Sequence, residues 1–125
     1  DARGELLRRF LDAIARDDRD AVLALMAPDV TFTSDGGGKV WAARRVISGA
    51  ESVARLVLQL EKKFGSLVQN RLVHVNGGAA VATFAGELLG HVTSIETDGE
   101  RITAFYRVLN PDKLGHVTGG PVEIE

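Results

Sequence analysis

The sequence predicts an α+β roll, in which a curved antiparallel sheet wraps around helices and leaves a cone-shaped interior. Helical periodicity dominates the start of the chain, and a further helix follows the first predicted strand. From Leu67 onward the apolar residues recur at every second position, which is typical of a meander of strands. Helices first and an antiparallel sheet afterwards define the α+β class. With 125 residues, 45% of them hydrophobic, the chain is predicted to form one domain over residues 1–125.

Two short helices are predicted before the first strand. The apolar side of the first helix consists of Leu7, Phe10, Leu11 and Ile14, at helical spacing. Asp17 and Asp18 follow, and their side chains are suited to accept hydrogen bonds from the first free amides of a second helix. We expect this helix to reach about Ala27, because Pro28 disfavours its continuation.

The first strand and the third helix flank a glycine-rich loop. Val30–Thr33 is predicted to be a strand, and Val40–Val46 a second short strand or extended segment. Ser48-Gly49-Ala50-Glu51 has the pattern of a capping box, in which a serine side chain caps the helix. The apolar residues that follow at helical spacing predict a helix that ends at Gly65.

Two hairpins are predicted in the second half of the chain. The first joins Leu72–Val75 to Ala79–Ala85 through Asn76-Gly77-Gly78, and the second joins Leu88–Thr97 to Arg101–Leu109 through Asp98-Gly99. Both faces of the last strand carry apolar residues. One face is therefore predicted to pack on the helices, and the other to meet a cavity or a partner.

Composition limits the function classes. The net charge of −2 provides no electrostatic footprint for direct nucleic-acid binding. The chain has no cysteine, and no apolar run approaches the length of a membrane span. We expect a cytoplasmic protein with no cofactor and no membrane association. The chain opens at Asp1 without a methionine, as a domain cut from a longer polypeptide would.

The loop after the first strand, Asp35-Gly36-Gly37-Gly38-Lys39, places three consecutive glycines beside two opposite charges. Such a run suits backbone conformations, or close approaches, that a side chain would prevent. It lacks the spacing of a Walker loop or of a dinucleotide fingerprint at a strand-to-helix turn. The remaining alternatives are a flexible surface connection and a contact site.

A second polar segment, Asn110-Pro111-Asp112-Lys113-Leu114, follows the last strand. With these two pentapeptides, the chain resembles the SnoaL-like domains of the nuclear-transport-factor-2-like (cystatin-like) superfamily. More narrowly, it resembles the C-terminal extension of extracytoplasmic-function sigma factors of the SigJ-like group. The segments Ala27-Pro28-Asp29-Val30 and Gly49–Arg55 agree with this resemblance, which covers essentially all 125 residues. The linker and the two sigma regions that precede the extension in that family are missing from this chain.

The resemblance implies a built-in regulator of transcription initiation. In that family the extension folds against the sigma regions, which contact core RNA polymerase and promoter DNA. The implied contact residues are Asp35, Gly36, Gly37, Gly38, Lys39, Asn110, Pro111, Asp112, Lys113 and Leu114. Opposite charges in both segments would fix the register on a partner more than they add affinity. The structural alternative for the second segment is a plain turn that ends a strand.

The competing hypothesis is a stand-alone small-molecule-binding protein or an isomerase-type or cyclase-type enzyme, because this roll commonly encloses a pocket. The candidate pocket residues are Trp41, His74, His91 and Tyr106, and the further polar candidates are Asp35, Glu87 and Arg107. The histidines lack the spacing of a metal site. A third hypothesis is a homodimer formed through the outer face of the sheet, with Phe105 and Leu109 on that surface.

Overall fold

Helices and strands follow one another in the order that the sequence predicts. The computed structural model describes residues 2–35, 45–75 and 77–108. The elements are α1 (Ala2–Ala15), α2 (Arg19–Ala24), β1 (Met26–Asp35), β2 (Arg45–Ser48), α3 (Ala50–Phe64), a 3-10 turn (Gly65–Leu67), β3 (Gln69–Val75), β4 (Gly78–Ala85), β5 (Leu88–Thr97) and β6 (Ile102–Val108). Of the predicted strand Val40–Val46, only the part from Arg45 onward lies within the described residues.

The six strands form one sheet in the order β2-β1-β6-β5-β4-β3. Every neighbouring pair is antiparallel except β1 and β6, which run parallel. The predicted roll is thus confirmed, with a mixed sheet in place of the wholly antiparallel one. Local sequence patterns could not predict the parallel pairing of β1 with β6. The two strands are distant in sequence and are not connected by a hairpin turn. The two strands end side by side, with Asp35 opposite Val108.

The second helix is shorter than predicted. It ends at Ala24, and Met26 and Ala27 already belong to β1. The carbonyl oxygen of Leu25 accepts a hydrogen bond of 2.8 Å from the Ile102 amide, which directs the chain into the sheet before Pro28 is reached. At the other end of α2, Asp18 alone acts as predicted, since its side chain accepts from the Ala21 amide at 3.1 Å.

The start of α3 differs from the predicted capping box. Gly49 is the N-cap residue, and no side chain caps the helix. Ser48 instead belongs to β2, where it pairs with Thr31 of β1. The φ angle of Gly49 is +96°, a conformation that favours glycine, and its amide donates to the carbonyl oxygen of Val30 at 2.8 Å. Sheet pairing therefore fixes the start of this helix. Its predicted end at Gly65 is confirmed.

The main core lies between the helices and one face of the sheet, which we call the inner face. Phe105 of β6 is fully buried there, with its ring centroid 5.0 Å from that of Phe10 and 5.5 Å from that of Phe32. The prediction that Phe105 lies on an outer dimerisation surface is wrong, because its side chain fills the core. A second apolar cluster on the opposite, outer face contains Val73, Ala80, Ala82 and Val92.

The second predicted hairpin is confirmed. β5 and β6 pair from Val92 opposite Val108 to Thr97 opposite Ile102. In the turn, Asp98 Oδ1 accepts hydrogen bonds of 2.9 Å from the amides of Glu100 and Arg101. These backbone donors stabilise the carboxylate and lower the pKa of Asp98.

Candidate functional site

A cavity of about 300 Å³ lies between the helices and the inner face of the sheet. Most of its wall is apolar. The helices contribute Leu7, Phe10, Leu11, Ile14, Val57 and Leu60, and the strands contribute Phe32, Val81 and Phe105. The cavity therefore lies where the core of the roll is incompletely filled by side chains.

The cavity reaches solvent at the end of the roll formed by the 3-10 turn and the β4–β5 turn. Four of its lining residues are exposed, namely Phe64, Asn70, Ala85 and Gly90. Phe64 is 44% exposed, which is high for a phenylalanine. Next to it, the carboxylate of Glu61 packs against the backbone of Gly65, and both residues line the cavity.

Polar side chains gather at the same end of the inner face. Asn70, Thr83 and His91 lie opposite one another on β3, β4 and β5, and Thr93 lies opposite Arg107 on β6. All five line the cavity. Thr83 is buried, and its hydroxyl donates to Asn70 Oδ1 at 2.6 Å. A bulge inserts Gly90 between the β5 residues opposite Thr83 and Phe84, which places His91 in this row.

His91 is held in its neutral form. Burial lowers the pKa of its imidazole to about 4, and the nearby positive charge of Arg107 adds to the effect. Its Nδ1 atom is buried and has no hydrogen-bond partner. One ring nitrogen of a neutral imidazole donates and the other accepts, so His91 contributes an unused polar atom to a residue of the cavity wall.

Arg107 carries a positive charge that the described residues do not neutralise. Its Nε atom is buried without a hydrogen-bond partner, and burial lowers the pKa of the guanidinium. No carboxylate in residues 2–34, 45–75 and 77–108 forms an ion pair with it. A partly buried charge without a counter-ion is energetically unfavourable in a protein interior.

Two features that are common in catalytic sites are not seen among the described residues. A catalytic histidine is usually oriented by a partner on its second ring nitrogen. His91 Nδ1 has no such partner, and within the described part of the chain no carboxylate is hydrogen-bonded to the imidazole. The same residues contain no group of three or more side chains that could hold a metal ion.

Only some of the predicted pocket residues line the cavity. His91 lines the cavity, whereas His74 and Tyr106 do not. His74 is exposed on β3, and Tyr106 is 38% exposed on the side of β6 opposite Phe105. Glu87 is exposed in the turn between β4 and β5. Trp41 and residues 36–39 and 110–114 lie outside the described residues.

Four polar lining residues were not predicted from the sequence, namely Glu61, Asn70, Thr83 and Thr93. Each of the three strand residues is two positions from an inward-facing apolar residue, namely Leu72, Val81 and Ile95. Because side chains alternate between faces, a polar residue in this register points into the interior. This signal could have identified them.

Comparison with protein families gives a direct assignment. The model of the SnoaL-like domain matches residues 7–115. The chain belongs to this family, as the roll and its cavity suggest. Of the helices in residues 2–35, 45–75 and 77–108, none is long and apolar enough to cross a membrane.

The chain is also similar to the extracytoplasmic-function RNA polymerase sigma factor SigJ of Mycobacterium tuberculosis. The two sequences are 34% identical over an alignment 131 residues long. This alignment covers 98% of this chain and 41% of SigJ. The crystal structure of SigJ superimposes with a TM-score of 0.70, over 98% of this chain and 46% of that one. This chain therefore spans less than half of the relative that it matches.

More distant structures share the fold. A protein of Silicibacter pomeroyi with a cystatin-like fold is 22% identical, with a TM-score of 0.57 over 86% of this chain and 75% of that one. An epoxide hydrolase of M. tuberculosis is 20% identical, with a TM-score of 0.51 over 86% and 82% of the two chains. At these identities the likeness concerns the fold alone.

Proposed function

We propose that this chain is the regulatory C-terminal domain of an extracytoplasmic-function sigma factor. In this role it modulates promoter-dependent transcription initiation through contacts with the sigma regions. The observation that carries the proposal is the 34% identity to SigJ, which extends over 98% of this chain. The sigma regions would precede this domain on a longer polypeptide and would operate in the cytoplasm.

The sheet topology supports a contact surface composed of both pentapeptides. Asp35 and Val108 lie opposite each other at the ends of the parallel strands β1 and β6. Gly36 follows Asp35 directly, and Asn110 is only two residues beyond Val108. Because consecutive Cα atoms are about 3.8 Å apart, the first pentapeptide begins at one of these neighbouring strand ends and the second begins within two residues of the other. A single partner surface could therefore contact both.

Charge supports an indirect role at the promoter. The net charge of −2 is unfavourable for contacts with phosphates, so the sigma regions would supply the contacts to promoter DNA and to core polymerase. The pentapeptides contribute two acids and two lysines, namely Asp35, Lys39, Asp112 and Lys113. Complementary charges on the sigma regions would set the orientation of the two parts.

The proposal is tested by measuring the affinity of this domain for the sigma regions of its own polypeptide, produced separately. We expect Asp35→Ala and Asp112→Ala each to weaken binding about fivefold or more, because each removes a charged contact. Glu100→Ala is the matched control. It removes the same charge from an exposed residue at the opposite end of β6.

Circular dichroism and thermal unfolding of each variant separate a lost contact from a lost fold. Weaker binding by the two aspartate variants, with unchanged binding by the control, supports the proposal. If the unmodified domain does not bind the sigma regions, or if all three variants bind as it does, the proposal is wrong.

A further inference from the structure

We propose that the cavity is a binding site for a small apolar carboxylate, whose carboxylate group is held by Arg107 and His91. The proposal rests on the size of the cavity, its apolar wall and the unpaired polar atoms at one end. It is independent of the sigma-factor role.

The volume of the cavity limits the size of the ligand. A dry apolar cavity of about 150 Å³ accommodates benzene. The cavity of about 300 Å³ therefore has room for roughly one ring with a short chain, or for a medium-length alkyl chain. This volume is at the lower end of the range for small-molecule sites, which is about 300 to 1,000 Å³. Aromatic and aliphatic side chains from α1, α3 and the sheet would surround the apolar part.

The unpaired guanidinium of Arg107 favours an anion at the cavity wall. Arg107 and Glu61 are the charged residues among the described lining residues. Arg107 Nε is buried and unpartnered, and Arg107 forms no ion pair with a described carboxylate. A bound anion would supply the missing counter-charge. The planar guanidinium matches the two oxygens of a carboxylate, so the contact can form two parallel hydrogen bonds.

The other polar groups suit a single negative charge. His91 Nδ1 is unpartnered, and the Thr93 side chain lies beside Arg107 in the paired strands. Neutral groups of this kind can donate hydrogen bonds to an oxygen without adding charge. A phosphate dianion would bring two negative charges into a cavity whose wall holds one guanidinium and one carboxylate, which disfavours it. The ligand that fits best is thus a monoanion with an apolar body.

The test is calorimetric titration of the domain with phenylbutanoate and octanoate, each compared with its uncharged primary amide. We expect at least one acid to bind at least tenfold more tightly than its amide, because only the acid pairs with Arg107. In Arg107→Met this preference should disappear, while the affinity for the amide stays within about twofold. Arg101→Met is the matched control, since it removes an exposed arginine just before β6.

Arg107→Met is expected to fold, because it removes a partly buried charge and retains most of the side-chain volume. Should it not fold, Leu60→Trp provides a second test, since it fills the cavity from α3 and leaves Arg107 in place. In that case, loss of acid and amide binding together supports the site, and retained binding contradicts it. The proposal is overturned if no acid binds, or if acids and amides bind equally to the unmodified domain.

Discussion

At the scale of single residues, His91 gives the molecule a distinctive dependence on pH. Its pKa is about 4 in the folded chain and 6.5 ordinarily, so between these values the unfolded chain binds more protons. The stabilising contribution of the neutral imidazole is fully present above about pH 6.5 and is lost as the pH falls toward 4. The full shift corresponds to about 3 kcal/mol, which partial exposure reduces to roughly 2 kcal/mol.

The corresponding variant is His91→Gln, which retains a polar side chain but does not titrate. We expect the difference in unfolding free energy between the unmodified domain and this variant to fall by roughly 2 kcal/mol from about pH 7 to about pH 4. Urea unfolding at several pH values measures this difference in free energy. His74→Gln is the control for loss of a histidine outside the cavity. The groups that line the cavity with His91 and carry charge are Arg107 and Glu61. A difference that stays constant with pH would contradict the buried, neutral state of His91.

At the scale of elements, β6 joins the core to the outer surface through two adjacent aromatic residues. Phe105 is fully buried against Phe10 and Phe32, whereas Tyr106 is 38% exposed on the opposite side of the strand. Phe105→Ala is expected to lower the unfolding free energy by about 3 to 5 kcal/mol, because it leaves a cavity in the core.

The neighbouring variant Tyr106→Ala is the control, with an expected loss of about 1 kcal/mol or less. Chemical denaturation of both variants gives the comparison. Similar losses for the two substitutions would mean that β6 is not oriented as described. A loss at Phe105 alone would also confirm that this residue is unavailable for an outer dimer surface.

Local patterns predicted the elements well where local forces determine them. The Asp98-Gly99 turn and the alternation around it define the last hairpin, and Gly65 ends α3 as expected. The predicted element boundaries were wrong where hydrogen bonds to residues distant in sequence determine them. Helix α2 ends before Leu25, whose carbonyl oxygen accepts a hydrogen bond from the Ile102 amide. Ser48 does not cap α3 because it belongs to β2, where it pairs with Thr31. The parallel pairing of β1 with β6 depends on the whole topology.

The candidate site could be predicted only in part, for a similar reason. His91 was identifiable as a histidine within an alternating strand, and Arg107 as a charge two positions from Phe105. That they face one cavity with Asn70 and Thr83 depends on the register of four strands, including the bulge at Gly90. Register of this kind is set by tertiary packing and not by any one segment.

At the scale of the whole molecule, one end of the sheet brings the main features together. β1 and β6 end there at Asp35 and Val108, from which both pentapeptides continue. Arg107 lies on the same end of β6 and faces the cavity. The backbone of Asp35, the described residue of the proposed contact, therefore lies on the strand next to Arg107 of the proposed ligand site, one position further along.

The measurement that tests the regulatory account most directly is promoter-dependent transcription, reconstituted from core RNA polymerase and the full-length polypeptide that contains this domain. The double variant Asp35→Ala/Asp112→Ala is compared with the unmodified protein and with Glu100→Ala, at equal levels of folded protein. We predict that the double variant changes transcript output about threefold or more, while the control stays at the unmodified level. Equal output from all three proteins would contradict the account.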